Sequence, residues 1–283
     1  MHPDPSDVDA SAPDLSGATS GSVPVPTSGN IRVDWSRRAG STELELRADD
    51  AHDLDHLDDE PFAAVVATAQ SLLAGIDRRG DEAVLAAAHP AGRRHVVPDR
   101  LAAALGMVAR RELLQLRRVL PLPEDHPNRY GGPVPRTRAF RPGIDDAAWI
   151  RVNNRAFADH PDQGAETAGS LARQRGEDWF DPDGFLLLDD EGRPGELAGF
   201  CWTKLHAPTA DEPELGEIYV IGVDPSHRGE HLGAPLVIAG LDHMAAKGIT
   251  TAVLYVESDN EPARRLYDRL GFTVHERRLV YGR

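Results

Sequence analysis

A strand that runs straight into a basic, glycine-bearing loop and then a helix most constrains what this chain can fold into. "LGEIYVIGV" reads as a buried strand, "DPSHRGEHLGAPL" (Asp224 to Leu236) as the loop, and Leu232 to Lys247 as a helix closed by Gly248. At such a junction the backbone N–H groups and the positive end of the helix converge on one point, which suits an anion such as pyrophosphate. Glycines help because they accept φ > 0 and let the backbone approach the ligand. Gly229 and Gly233 fit that need, Arg228 adds a full charge, and His231 stands where a third glycine would be comfortable. The string lacks the G-K-[ST] of a triphosphate loop and the G-x-G-x-x-G of a dinucleotide fold. Taken alone, it also suits an ordinary turn.

The surrounding elements alternate regularly. "TRAFRP" is a strand, Asp145 to Phe157 and Glu166 to Arg175 are helices, and "GFLLLDD" and "ELAGFCWTKLH" pair around "EGRPG". After the loop's helix come the strand "TAVLYVES", the capped helix "NEPARRLYDRLGF" running to Gly271, and the strand "TVHERRLVYG". Upstream, a helix runs from Pro61 to Gly80, "EAVLAAAHP" is a strand, and a further helix stopped by Gly106 leads into a strand ending at Leu120. Residues 43–60 read as a short strand and a solvated acidic loop. "RLAAALGMVARRELLQLRRVL" and "RRLYDRLGFTVHERRLVY" share a helix, a glycine and a strand, Gly106 matching Gly271, as two copies of one repeat would. Five prolines between Pro121 and Pro135 mark residues 121–136 as a linker between a domain at 31–120 and a domain at 137–283. Residues 1–30, rich in Pro, Ser, Gly and Asp, bury too little to offset chain entropy and read as a disordered tail.

Composition excludes several partners. The net charge of −15 argues against nucleic acid. Residues 1–60 alone hold 14 Asp and Glu against 4 Arg, so the acidity is mostly local. No apolar run approaches the roughly 20 residues of a membrane span, the N-terminus lacks an apolar leader, and the lone Cys201 has no internal disulfide partner. A cytoplasmic protein follows, with no membrane or metal partner expected and a monomer favoured.

Strand, loop, helix, strand and "NEPARRLYDRLGF" together resemble the acyl-CoA binding half of the GNAT N-acyltransferase superfamily. Its loop pattern, Arg/Gln-x-x-Gly-x-Gly/Ala, is met by Arg228 and Gly233, with His231 replacing the inner glycine. "VNNRAFADHPDQG", "RGEDWFDPDG", "GFCWTKLH", "LGEIYVIGVDP" and "VLYVESDN" resemble the mycothiol synthase family, over nearly all of residues 137–281. That resemblance implies an α/β fold of tandem GNAT-like domains with mixed, largely antiparallel sheets, the N-terminal copy truncated and degenerate. It also implies acetyl-CoA as co-substrate and acetylation of the cysteinyl amine of a cysteinyl-glucosaminyl-inositol, a small amino-sugar thiol.

Acetyl transfer to an amine needs a proton acceptor, a donor to the developing oxyanion and a proton for the departing thiolate. Glu217 lies six residues before Val223, which on an unbroken strand puts both on one face, near the acyl end of the coenzyme. A carboxylate there is a candidate base, and an edge carboxylate is the plainer alternative. Tyr267, four residues before Gly271, matches the superfamily's acid tyrosine. The resemblance assigns the coenzyme to Ile221, Gly222, Val223, Arg228, Gly229, Glu230, His231, Leu232, Gly233 and Ala234, and to Asn260, Glu261, Pro262, Ala263, Arg264 and Arg265. It assigns the amino-sugar to Asp162, Lys204, Glu217 and Tyr255. Two other readings stay open, an acetyltransferase acting on peptide N-termini and a non-catalytic acyl-CoA sensing protein.

Overall fold

Burial alternates along strand β3 (Ser41–Ala48), where Thr42, Leu44 and Leu46 are buried and the residues between them are partly exposed. That period of two belongs to a sheet with one face on a core. The computed structural model describes residues 19–26, 30–38, 41–49, 54–77, 82–127, 129, 136–158, 164–210 and 212–283. Two compact units emerge, and each is built from more than one stretch of sequence.

The first unit takes the residues up to Leu114 with Glu257–Asp259 and His275–Arg283. In it β1 (Ser20–Pro24), β2 (Ile31–Arg38) and β3 run antiparallel in order, and β4 (Glu82–Pro90) lies parallel to β3. The C-terminal strand β11 (Thr273–Gly282) pairs antiparallel with β4. Helix α1 (Asp59–Asp77) bridges β3 and β4 and buries Val65, Ala69, Leu72, Leu73 and Ile76 at helical spacing. Helix α2 (Val96–Ala104) gives way at Gly106, whose φ of +69° needs no Cβ. The strand β5 (Val108–Val119) that follows begins in this unit and ends in the other.

The second unit takes Gln115–Val256 and Asn260–Val274. Strands β6 (Arg138–Ala139), β7 (Phe185–Asp189), β8 (Leu197–His206) and β9 (Leu215–Val223) run antiparallel, and β10 (Thr251–Glu257) is parallel to β9. Helices α3 (Asp146–Ala156) and α4 (Ala168–Arg175) cover one face over an aromatic core, in which Phe185 stacks on Trp202 at 4.1 Å and Trp149 meets both edge-on. Helices α5 (Gly233–Ala246) and α6 (Glu261–Arg269) belong to the other face, where Gly240 of α5 lets the helix approach Cys201 and Ile218.

These elements match the spacing closely, with three departures. Residues 20–24 of the expected tail form β1, because an edge strand needs only backbone partners, and Gly21 makes room for the indole of Trp35; residues 1–18 and 27–29 lie outside the described residues. The described part of the proline-rich stretch 121–136 lies inside the second unit, and the units divide at Leu114/Gln115. Prolines mark where a chain turns, whereas compactness is decided by which strands pair. β2, which lies between "TSGN" and "AGST", was not anticipated.

Among the described residues no helix is long and apolar enough to cross a membrane. A Cβ at Gly240 would stand 2.7 Å from Cys201 Sγ and 2.8 Å from Ile218 Cδ1. Gly240→Ala is therefore expected to lower stability by about 1–3 kcal/mol through overpacking, despite alanine's better helix propensity; urea unfolding measures it.

Candidate active site

Strands β9 and β10 hold together only at their start. Gly216 pairs with Ala252 and Glu217 with Val253, and the ladder ends there, so the strands part beyond Glu217. On its other edge β9 carries a one-residue bulge: Val220 opposes Trp202, Ile218 opposes Thr203, and Tyr219 is left over. An extra residue reverses the alternation of faces. Val223, Ile221 and Ile218 thus share the α5 side with Cys201 and Thr203. Gly222, Val220 and Glu217 share the α3 side with Phe200, Trp202 and Lys204. The expectation that Glu217 and Val223 lie on one face is corrected by this bulge, which sequence spacing does not reveal.

Glu217 is buried, 9% exposed, so it is no edge carboxylate. Lys204 stands directly opposite it in the ladder, yet the Lys204 ammonium turns onto aromatic faces, 4.5 Å from the Trp179 ring and 5.4 Å from that of Tyr219. His206 takes the place beside the carboxylate, its Nε2 being 2.7 Å from Glu217 Oε2. Neither His206 nor the aromatic pair was anticipated. The signal available was the alternation in "TKLH", which puts His206 on the face of Lys204.

Tyr267 approaches from the α5 and α6 side. It is buried, edge-on to Phe272, and burial with the Cys201 thiol alongside pushes its phenol well above the usual range, so it keeps its proton. Burial likewise pushes the Cys201 thiol up to about 12, which leaves it inert. Glu217 and Tyr267 thus stand on opposite faces of the sheet, Glu217 on the side of Lys204 and Tyr267 on the side of Cys201.

The loop after β9 is held by charge turned inward. Asp224 accepts the Ser226 amide at 2.9 Å and hydroxyl at 2.6 Å, and Arg155 donates to it at 2.6 Å. Burial alone would raise the Asp224 carboxyl, but these bonds overcome it and hold the group down to about 2. Asp190 is engaged by Arg193 at 2.6 Å and by His227 at 2.9 Å, and Arg193 also reaches the Ser226 hydroxyl at 2.6 Å. The nearby carboxylates are thus largely neutralised. Among the described residues, Arg228 makes no ion pair, and no protein acceptor lies within hydrogen-bond distance of the amides of Gly229, His231, Leu232, Gly233 and Ala234. Unspent donors at the start of α5 fit a pyrophosphate. Gly229 has φ +90°, with open space where a Cβ would stand. His231 has φ +58°, the left-handed conformation that the missing glycine would favour. A cleft of about 1180 Å³ opens beside the loop, lined in part by Glu230, His231, Leu232, Ala234 and Arg269.

The remaining expected residues divide. Asn260 caps α6, accepting from the Ala263 amide at 3.2 Å, and Glu261 pairs with Arg265 at 2.8 Å, so residues 260–265 form an ordered helix start. Tyr255, 46% exposed, shares the face of Glu217 two residues beyond Val253, and its hydroxyl accepts from buried Gln115 at 2.8 Å. Gln115 is held in turn by Arg117 at 2.8 Å, which clamps Glu212 through two bonds of 2.8 Å. No local pattern marks Gln115, because its strand arrives from the first half of the sequence. Asp162 lies outside the described residues.

Comparison with known proteins places this geometry. Residues 149–272 match the acetyltransferase (GNAT) family model. The fold is similar to a GCN5-related N-acetyltransferase from Sphaerobacter thermophilus, with a TM-score of 0.65 at 20% identity over 90% of this chain and 76% of that one. It is also similar to a tandem GNAT protein from the clavulanic acid biosynthesis pathway, at 0.56, 16%, 90% and 79%. In sequence the chain is 49% identical to a mycothiol acetyltransferase of Acidimicrobium ferrooxidans, over 79% of this chain and 70% of that protein. It is 48% identical to the one of Streptomyces coelicolor over 66% of this chain, and 47% identical to the one of Kocuria rhizophila over 61%. It spans only 58% and 57% of those two relatives. The fold and site define a GNAT acetyltransferase, and the chain belongs to that family. Within it, the chain groups with the mycothiol acetyltransferases.

Left-handed φ costs a residue with a Cβ roughly 1–2 kcal/mol, histidine being among the better tolerated. His231→Gly is expected to be neutral or slightly stabilising, and His231→Val to lose about 1–2 kcal/mol. Chemical denaturation of the two variants checks this.

Proposed function

We propose that the chain transfers the acetyl group of acetyl-CoA to the cysteinyl amine of a cysteinyl-glucosaminyl-inositol, completing mycothiol. The observation that supports this reading is the parting of β9 from β10 beyond buried Glu217, with a loop of unspent amides at the end of β9 and buried Tyr267 on the Cys201 face of the sheet. Half-identity to mycothiol acetyltransferases narrows the substrate. The loop amides with Arg228 hold the pyrophosphate, and Ile221, Gly222 and Val223 offer the backbone of the parted strand to the pantetheine and acetyl portions. Asn260 to Arg265 contact the coenzyme from the start of α6. Lys204, Tyr255 and Asp162 meet the amino-sugar.

The amine enters as an ammonium and loses two protons in all. Glu217 takes the first, directly or through water, which frees the nitrogen lone pair to attack the acetyl carbon. As the carbon–sulfur bond breaks, Tyr267 gives its proton to the thiolate, and the proton shed as the amide forms restores the phenol. Incubation with acetyl-CoA and cysteinyl-glucosaminyl-inositol is expected to release coenzyme A and form the N-acetyl product; absence of product with this amine would overturn the substrate assignment. Tyr267→Phe is expected to bind acetyl-CoA normally while kcat falls on the order of 10²-fold, and an undiminished kcat would remove Tyr267 from the role of acid.

We read the first unit as a degenerate copy of the second. The parallel β3–α1–β4 repeats β9–α5–β10. In both copies the residue after the helix-ending glycine donates back along the helix, Met107 to the Ala102 carbonyl at 2.9 Å and Phe272 to that of Tyr267 at 3.0 Å. Ala102 has no proton to give. Residues 49–58, "DDAHDLDHLD", lead from β3 towards α1 with five aspartates and no arginine or lysine, which repels phosphate, and β3 and β4 stay paired over five residues where β9 and β10 pair over two. Calorimetric titration with acetyl-CoA is expected to give one site per chain, a stoichiometry near two being the contrary result.

A further inference from the structure

Among the described residues, His206 is an ion-pair partner of Glu217 that the reaction above leaves idle. It stands on β8 two residues beyond Lys204, on the same face, and its Nε2 is 2.7 Å from Glu217 Oε2. The Glu217 side chain is 12% exposed and that of His206 39%, so the carboxylate sits inside and the imidazole reaches water. Among the described residues, His206 is the only ion-pair partner of Glu217. Charged and titratable groups on this face among the described residues include Lys204, turned onto Trp179 and Tyr219, and Tyr255 of β10, which is bonded to Gln115.

A carboxylate with one oxygen engaged by a donor is fixed in orientation, and its other oxygen remains to accept a proton. The neutral ring can donate Nε2–H to Oε2 without adding charge. Protonation of the other ring nitrogen changes that bond into an ion pair, which stabilises the carboxylate and weakens it as a base.

We propose that His206 is a positioning residue that acts through Glu217: as a neutral donor it holds the carboxylate ready for the amine, and as an imidazolium it switches the base off. The inference rests on the reading of Glu217 as base. The N–H bond broken is the ammonium's, the bond formed is to the free oxygen of Glu217, and the proton leaves from there to solvent, with His206 neutral throughout.

Two variants separate holding from charging. His206→Gln keeps an amide donor at the position of Nε2 but takes no charge, whereas His206→Ala removes both. With acetyl-CoA and cysteinyl-glucosaminyl-inositol at saturation, His206→Ala is expected to lose on the order of ten-fold or more in kcat at neutral pH, with acetyl-CoA affinity unchanged by calorimetry. His206→Gln is expected to retain most of the neutral-pH rate, and its kcat to fall off at lower pH than that of the unaltered protein. An Ala variant at full rate, or a Gln variant whose acid limb coincides with that of the unaltered protein, overturns the proposal. Glu217→Gln tells the two readings apart. If it stays active, Glu217 is not the base; if it is inactive while His206→Ala is unimpaired, the base stands and the role of His206 falls.

Discussion

One extra residue in β9 organises the site. The bulge at Tyr219 turns Glu217 to the aromatic face while Val223 and Ile221 stay on the face of α5, and beyond Glu217 the strand parts from β10. Without the bulge, the alternation would carry Glu217 toward α5, where Gly216 and Gly240 already let that helix pack tightly. A carboxylate there would meet apolar side chains with nothing to compensate its burial. With the bulge it finds His206, and the aromatic rings draw the Lys204 charge away from it. The same irregularity thus sets the neighbours that Glu217 meets.

A second organising feature is the way charge is spent. Around the loop after β9, Asp224 and Asp190 are tied to Arg155, Arg193 and His227, so carboxylates that would repel a phosphate are turned to structural use. The amides that would ordinarily be satisfied at a helix start are left as donors. The loop needs two left-handed residues to achieve this, Gly229 and His231, and the second carries a Cβ there. His231 thus adopts a backbone conformation that glycine would take without strain.

The two units share their sequence halves. The last strand of the chain completes the first unit, and the end of β5 enters the second, where it brings Gln115 to Tyr255 and Arg117 to Glu212. A surface tyrosine held by a buried amide, itself held by a clamped guanidinium, is fixed before any ligand arrives. The first half of the sequence thus reaches the second unit through the end of β5.

Sequence by itself determined much of this protein. Periodicity and glycine stops placed the strands and helices from β3 onward, because apolar spacing and φ > 0 are local demands. The loop after β9 and the Asn260 cap were legible for the same reason, since each sits at a junction whose chemistry lies within a few residues. What only the tertiary structure decided is everything that depends on which strands pair. β1 emerged from a polar stretch because an edge strand is made by its neighbour's backbone. The unit boundary fell within β5 because exchanged strands outweigh prolines. His206, Tyr219 and Gln115 joined the site through a bulge and a strand from far along the chain, and a hydrogen bond between residues 140 positions apart leaves no trace in local spacing.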